Sequence, residues 1–292
     1  MTATHIATIV LAEKNEDNIQ SLIRALNADT GLTILSDHKA FEFTVPADTS
    51  QDKLQAIIEA QDIAADICVQ AVEGRKKSLL ICDMDSTLIG QECIDELADF
   101  AGVKAHVSAI TERAMRGEIE FDDALTERVG LLKDLDLSVL EKCFEDRIFL
   151  NPGAVTLCQT MKAHGAKTVI VSGGFTFFTN KVAEACGFEA HHANVLLEDG
   201  KKLLGTVQHP ILGRDAKRER LEEYSQDIGG TASAVAIGDG ANDLAMITAA
   251  GLGVAFYAKP AVAAASHCAI NHTDLTTALY FQGFKDSEFV TA

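Results

Sequence analysis

Asp83 and Asp85 stand two residues apart directly behind the apolar run Ser78-Leu79-Leu80-Ile81-Cys82. An unpaired carboxylate is costly to bury, so such a pair faces water, a cation or a reacting group. At the carboxyl end of a buried strand an aspartate can act as nucleophile, metal ligand or general acid. The competing reading is a turn or a helix N-cap, where Asp, Ser and Thr are common. Two further polar, glycine-rich steps follow apolar runs: Ser172-Gly173-Gly174 and Gly238-Asp239-Gly240-Ala241-Asn242-Asp243. Taken singly, the first is also a tight turn and Asp239 also a helix cap. Together they offer hard oxygen ligands on two loops and phosphate-gripping donors on a third. Asp83, Asp239 and a backbone carbonyl at Asp85 would suit Mg2+.

These steps must be brought together by elements. From Ser78 onward the pattern predicts strands separated by helices: strands over Ser78–Cys82, Thr168–Val171, Val235–Ile237 and Gly253–Phe256, with helices over Phe175–Cys186 and from Asn242. A parallel sheet built this way gathers all three strand ends on one edge. Gln91 to Leu150 reads helical almost throughout, too long for a simple crossover, and predicts a helical lid over about residues 90–150. Asp199-Gly200 between apolar flanks predicts a β-hairpin. Residues 1–75 have a different order, strand-helix-strand-strand-helix-strand, and end at the charged stretch Glu73-Gly74-Arg75-Lys76-Lys77. In that unit Asp17–Leu26 has helical spacing, and Leu54, Ile57, Ile58 and Ile63 mark a second helix. The order is the ferredoxin-like βαββαβ pattern. The expected architecture is therefore an α/β chain, a Rossmann-like parallel sheet with an inserted helical cap over residues 76–292, behind a small ferredoxin-like unit over residues 1–75.

Composition narrows the function classes. The chain has 292 residues, 47% of them hydrophobic, enough for one large or two ordinary domains. A net charge of −18 argues against nucleic acid as a partner. Any phosphate would need local help from placed cations, a metal or backbone N–H groups. The most apolar stretch, Leu244 to Ala258, is interrupted by Thr248, Gly251 and Gly253 and falls short of the roughly 20 residues a bilayer requires. No membrane association is expected. Seven scattered cysteines without a Cys-x-x-Cys pair, and an N-terminus without a secretory pattern, predict a cytoplasmic protein with reduced thiols. His191-His192 and His267-Cys268 lack partners at metal-ligand spacing.

Asp83-Met84-Asp85-Ser86-Thr87, Ser172-Gly173-Gly174, Lys217 and Gly238-Asp239-Gly240-Ala241-Asn242-Asp243 resemble the four ordered motifs of the haloacid dehalogenase superfamily. Over roughly residues 76–285, with Glu92 and Arg128 in the lid, the chain is most similar to that superfamily's phosphoserine phosphatases. The resemblance implies Mg2+-dependent hydrolysis of O-phospho-L-serine to L-serine and phosphate, the last step of serine biosynthesis, through an aspartyl phosphate. It implies Asp83 as nucleophile and Asp85 as proton carrier, with Asp83, Asp85 and Asp239 at the metal and Asp243 supporting them. Ser172, Gly173, Lys217 and Asn242 would hold phosphate, and Thr87 would orient the first loop. Glu92 would meet the substrate amine, Arg128 its carboxylate, and Phe121 would cover it. Without the motifs, Lys217 belongs to a charged helical stretch, Glu92 and Arg128 to exposed helix faces, and Phe121 packs a core about as readily.

Residues 1–75 resemble the ACT-type modules found beside amino-acid enzymes, in element order only. They are expected to bind serine or another amino acid as an effector, to mediate a homodimer, or merely to pack. A phosphotransferase on the same scaffold and an amino-acid-sensing regulator are the competing functions. Intact Asp83, Asp85, Lys217 and Asp239 weigh against the second.

Overall fold

Apolar residues two apart, Ala7, Ile9 and Leu11 on one strand and Phe41, Phe43 and Val45 on another, put one face of a sheet into a core with Ile19, Leu22 and Ile58 from two helices. In the computed structural model, which describes residues 5–116 and 118–291, this unit runs β1 (His5–Leu11), α1 (Glu16–Ala25), β2 (Thr33–Ser36), β3 (Ala40–Val45), α2 (Gln51–Glu59) and β4 (Ala65–Ala71). The strands lie in the order β2-β3-β1-β4, all pairs antiparallel. Helix α1 begins where the Asn15 side chain accepts a hydrogen bond from the Asn18 N–H at 3.0 Å. Ile63 lies beyond the second helix, contrary to the sequence reading. The chain leaves α2 at Glu59, and Asp62 takes a left-handed φ of +55°, which no helix continues through.

The rest of the chain places β5 (Leu79–Cys82), then α3 (Cys93–Phe100), α4 (Lys104–Met115), α5 (Phe121–Gly130) and α6 (Ser138–Arg147) as the inserted cap, and α7 (Ala154–Ala163) as the crossover to β6 (Lys167–Phe175). There follow α8 (Thr176–Cys186), β7 (Ala190–Asn194), a hairpin of β8 (Leu196–Glu198) and β9 (Leu203–Val207), and α9 (Arg214–Ser225). The chain ends with β10 (Ala234–Gly238), α10 (Leu244–Ala249), β11 (Leu252–Phe256), α11 (Pro260–Ala265), β12 (Cys268–Ile270) and α12 (Thr277–Phe281). Six strands form one parallel sheet in the order β12-β11-β10-β5-β6-β7. Strand β5 is central, with Cys82 opposite Ile237 of β10 on one side and Ile170 of β6 on the other. The residues that follow these three strands therefore meet, as a parallel sheet requires.

Ser172-Gly173-Gly174, read from sequence as a loop after a strand, lies within β6. Its pairing with β7 slips between Val171 and Phe175, and this irregularity frees it from a regular ladder. The cap's two connections are tied to each other at its base. Ile89 and Leu150 form an antiparallel bridge, Asn151 N donates to Leu88 O at 2.8 Å, and the Asn151 side chain donates to Thr87 O at 2.8 Å.

The face of the first sheet turned away from α1 and α2 shares a core with the larger sheet: Val10, Ala40 and Cys68 cluster with Cys268, Leu279 and Phe281. Polar contacts reinforce the junction. Asp66 accepts from the backbone N–H groups of Asn271, His272 and Thr273 at 2.9, 3.3 and 3.0 Å, and Arg75 pairs in a fork with Glu42 at 2.6 and 2.9 Å. Among the described residues no helix is long and apolar enough to cross a membrane.

Candidate active site

Backbone geometry builds the first carboxylate loop. Asp83 N donates to Ile237 O at 3.0 Å, which ties the residue after β5 to β10. Ser86 takes a left-handed φ of +54°, and Leu88 and Ile89 both donate back to Met84 O, closing the loop tightly. Asp83 and Asp85 are 5% and 9% exposed, so their environment is set by protein rather than by water. Asp83 Oδ1 accepts from Met84 N at 2.7 Å, and Oδ2 lies 2.6 Å from Lys217 Nζ. The Asp85 carboxylate reaches the N-terminus of α3, where Oδ1 accepts from Cys93 N at 2.9 Å, and its Oδ2 is 3.3 Å from Ser172 Oγ. Gly174 is required here, because a Cβ on it would come within 2.6 Å of Asp85 Oδ2.

Lys217, a solvated helix lysine by its surroundings and a phosphate binder by the family resemblance, is 1% exposed and points from α9 into the carboxylates. Its Nζ is 2.5 Å from Asp243 Oδ1 and 2.6 Å from Asp83 Oδ2. Asp243 also accepts from the N–H groups of Asp239 and Gly240 at 3.1 and 2.9 Å, which shapes the third loop. Gly238 makes room for it, since a Cβ there would clash with the Asp243 carboxyl. Asp239 is partly buried and accepts from Thr87 Oγ at 3.2 Å, giving Thr87 its place in orienting the first loop against the third. Asn242 lies on the same turn at the entrance to α10.

One ammonium thus pairs with two carboxylates. Atoms of Asp83, Asp239 and Asp243 approach within 4.8 Å of one another, a set that could hold a metal ion. Asp85 contributes no carboxylate atom to that set. Burial, then the Asp243 charge, pushes the Asp83 carboxyl well above the carboxylate range, with Lys217 opposing. Burial and Asp243 push Asp239 to about 6. Burial also raises Asp85, against the Cys93 and Ser172 hydrogen bonds. Burial works against the Lys217 charge, yet Asp243 and Asp83 outweigh it and hold the ammonium above the ordinary lysine range. Crowded carboxylates that resist ionisation are what a divalent cation relieves, so this donor set fits hard-cation chemistry.

The cap supplies the other wall. Ser86 Oγ donates to Glu92 Oε1 at 2.7 Å. Burial of the carboxyl and the Asp85 charge push Glu92 to about 7, an effect that solvent screens in part because the residue as a whole is exposed. Arg128 is half-buried, with Nε donating to Ala124 O at 3.2 Å and NH1 to Thr111 Oγ at 3.4 Å. Burial lowers its pKa, while the charges of Asp95, Glu92 and Asp85 act to raise it. Phe121 lies over the Ser172-Gly173-Gly174 segment, its ring tip 3.2 Å from where a Gly173 Cβ would be. An open groove of 1080 Å³ runs past Phe121, Asn194 and Gly213.

The structure therefore brings together Asp83, Asp85, Glu92, Phe121, Arg128, Ser172, Gly173, Lys217, Asp239, Asn242 and Asp243. His191 and His192 lie apart from the carboxylates, bonded to Thr179 and Tyr224. Sequence reasoning gave Ser86, although it stands in the first motif, no role of its own, and missed Asn151 and Asn194, whose side chains hold the site's loops through backbone groups.

The haloacid dehalogenase-like hydrolase family matches residues 80–248. A probable phosphoserine phosphatase of Schizosaccharomyces pombe is 40% identical over 82% of this chain and 81% of its own length. Among solved structures, a HAD family hydrolase of Salmonella enterica serovar Typhi superposes with a TM-score of 0.85 at 28% identity, covering 96% of this chain and 98% of that one. A probable phosphoserine phosphatase of Vibrio cholerae does so with a TM-score of 0.79 at 31% identity, covering 96% and 86%. The chain belongs to the haloacid dehalogenase-like hydrolases, in the family of the phosphoserine phosphatases.

Proposed function

We propose that the chain hydrolyses O-phospho-L-serine to L-serine and phosphate, with Asp83 as nucleophile. The observation that carries this reading is the buried Asp83–Lys217–Asp243 cluster facing Ser172 and the Asp85 carboxyl, under a cap that presents Glu92 and Arg128. Asp83 attacks phosphorus, the bond from phosphorus to the serine oxygen breaks, and Asp85 delivers its proton to that oxygen. Its raised pKa keeps the proton available for this step. Asp85 then takes a proton from water, whose oxygen attacks the phosphoryl group and displaces the Asp83 carboxylate. Lys217, Ser172 and the Gly173 N–H hold phosphate oxygens, and Asn242 borders them.

Mg2+ fits the site, with Asp83, Asp239 and the Asp85 carbonyl as ligands and Asp243 beside them. When bound it neutralises phosphate charge and lowers the pKa values of the crowded carboxylates. Glu92 pairs with the amine of phosphoserine, Arg128 grips its carboxylate, and Phe121 excludes water above it. Phosphate release from a panel of phosphorylated metabolites, with and without Mg2+, tests the reading. It predicts preference for O-phospho-L-serine and dependence on the metal; equal rates on sugar phosphates would contradict it.

Residues 1–75 form, in this proposal, an ACT-like unit ahead of a phosphatase unit at 76–292. Asp66 supports communication between them, since it holds the Asn271–Thr273 turn of the larger sheet. Serine as effector and a homodimer are testable on the full chain by calorimetry and by light scattering. Seven free, buried cysteines support a reducing, cytoplasmic setting.

A further inference from the structure

Asn194, the last residue of β7, is 3% exposed and spends its whole side chain on two backbone segments. Its Nδ2 donates to Gly173 O at 2.9 Å and to Leu212 O at 3.3 Å, while its Oδ1 accepts from Leu212 N at 2.7 Å. Both amide hydrogens and one acceptor position are thereby used, which fixes the side chain in one orientation. Gly173 lies where the β6–β7 ladder slips, between Val171 and Phe175, so the Asn194 amide supplies a partner where a regular ladder would have used backbone.

The consequence runs into the catalytic centre. In a trans peptide the C=O and the following N–H point in opposite directions. Holding the Gly173 carbonyl toward Asn194 therefore aims the Gly174 N–H the other way, where it donates to Ser172 Oγ at 2.9 Å. Ser172 Oγ is in turn 3.3 Å from Asp85 Oδ2. The bracketed Leu212 leads through Gly213 directly into α9, which carries Lys217. One side chain thus ties the loop that presents Ser172 to the segment that presents Lys217.

We infer that Asn194 is a positioning residue for phosphoryl transfer: by clamping the Gly173–Gly174 peptide it sets the Ser172 hydroxyl against Asp85. This inference rests on the proposed hydrolysis of phosphoserine, and touches neither the amine nor the carboxylate of the substrate. Loss of the clamp lowers kcat and leaves KM for phosphoserine nearly unchanged, because Glu92 and Arg128 still read the substrate.

The test is a double-mutant cycle of Asn194→Ala with Ser172→Ala, measured with O-phospho-L-serine and with p-nitrophenyl phosphate. Asn194→Ala is expected to lower kcat about 10- to 100-fold on both substrates, with KM for phosphoserine within about threefold of wild type. In the Ser172→Ala background the same change should cost at least about threefold less than in wild type, because the part that acts through Ser172 is gone and only the Leu212 contacts remain. Asn194→Asp keeps the bond from Leu212 N but withdraws both donors, and should lose as much as Asn194→Ala. Multiplying fold-changes in the double mutant, or wild-type kcat in Asn194→Asp, would overturn the inference. Wild-type turnover of p-nitrophenyl phosphate without turnover of phosphoserine would sink the proposed substrate instead, and the cycle on the aryl ester would still decide the role of Asn194.

Discussion

Asp239 offers a quantitative test of the crowded-carboxylate picture. Its carboxyl is raised from the ordinary 3.8 to about 6, chiefly by burial and the Asp243 charge. A folded-state pKa above the unfolded one means that the native protein binds the extra proton between the two values. Stability therefore falls as pH rises through that window and is level above it. The rise corresponds to roughly 3 kcal/mol, and to somewhat less once solvent at the partly open edge of Asp239 is counted. Urea denaturation in the presence of a chelator, at a series of pH values from 4 to 7, measures the loss. Asp239→Asn cannot ionise and removes one carboxylate, so its stability curve should lack about that much of the wild-type decline. At pH 7 the variant should be the more stable metal-free protein, and wild type should overtake it when Mg2+ is added. Parallel pH curves for the two proteins would refute the assignment of strain to this carboxylate.

Lys217→Met should lower stability at pH 7 by about 3–5 kcal/mol, because it leaves Asp83 and Asp243 buried without their cation; the deficit, read by denaturant melts, should shrink as pH falls and the carboxylates protonate. Arg128→Ala should raise KM for phosphoserine far more than for p-nitrophenyl phosphate, and steady-state kinetics showing equal changes would remove Arg128 from carboxylate recognition. In single-turnover release of the leaving group, before the shared breakdown of the aspartyl phosphate, Asp85→Asn should slow phosphoserine much more than p-nitrophenyl phosphate, whose leaving group departs without a proton; equal losses in that step would show that Asp85 is no general acid.

The candidate site was legible because it is built from residue types that are expensive to bury. Asp83, Asp85 and Asp239 each follow an apolar strand, and parallel topology brings such positions together whatever the loops do. The cap was legible as a length of helical periodicity too long for one crossover. Strand β7 was not, since Ala-His-His-Ala-Asn has no apolar run and its pairing depends on β6. Strand β12 is only Cys268–Ile270, too short for any period to show. Ile63 was assigned to a helix by spacing alone, and spacing is blind to the left-handed turn at Asp62. The supporting residues were hidden for a related reason. Asn151 and Asn194 act on backbone groups 64 and 21 residues away, so their partners exist only after folding.

The central claim is that Asp83 carries the phosphoryl group. Rapid quenching of the enzyme mixed with 32P-labelled O-phospho-L-serine and Mg2+, followed by peptide mapping, tests it most directly. The account predicts an acid-stable, hydroxylamine-sensitive label on the peptide containing Asp83, and neither label nor turnover in Asp83→Asn. Full turnover by Asp83→Asn, or label on any other residue, would contradict it.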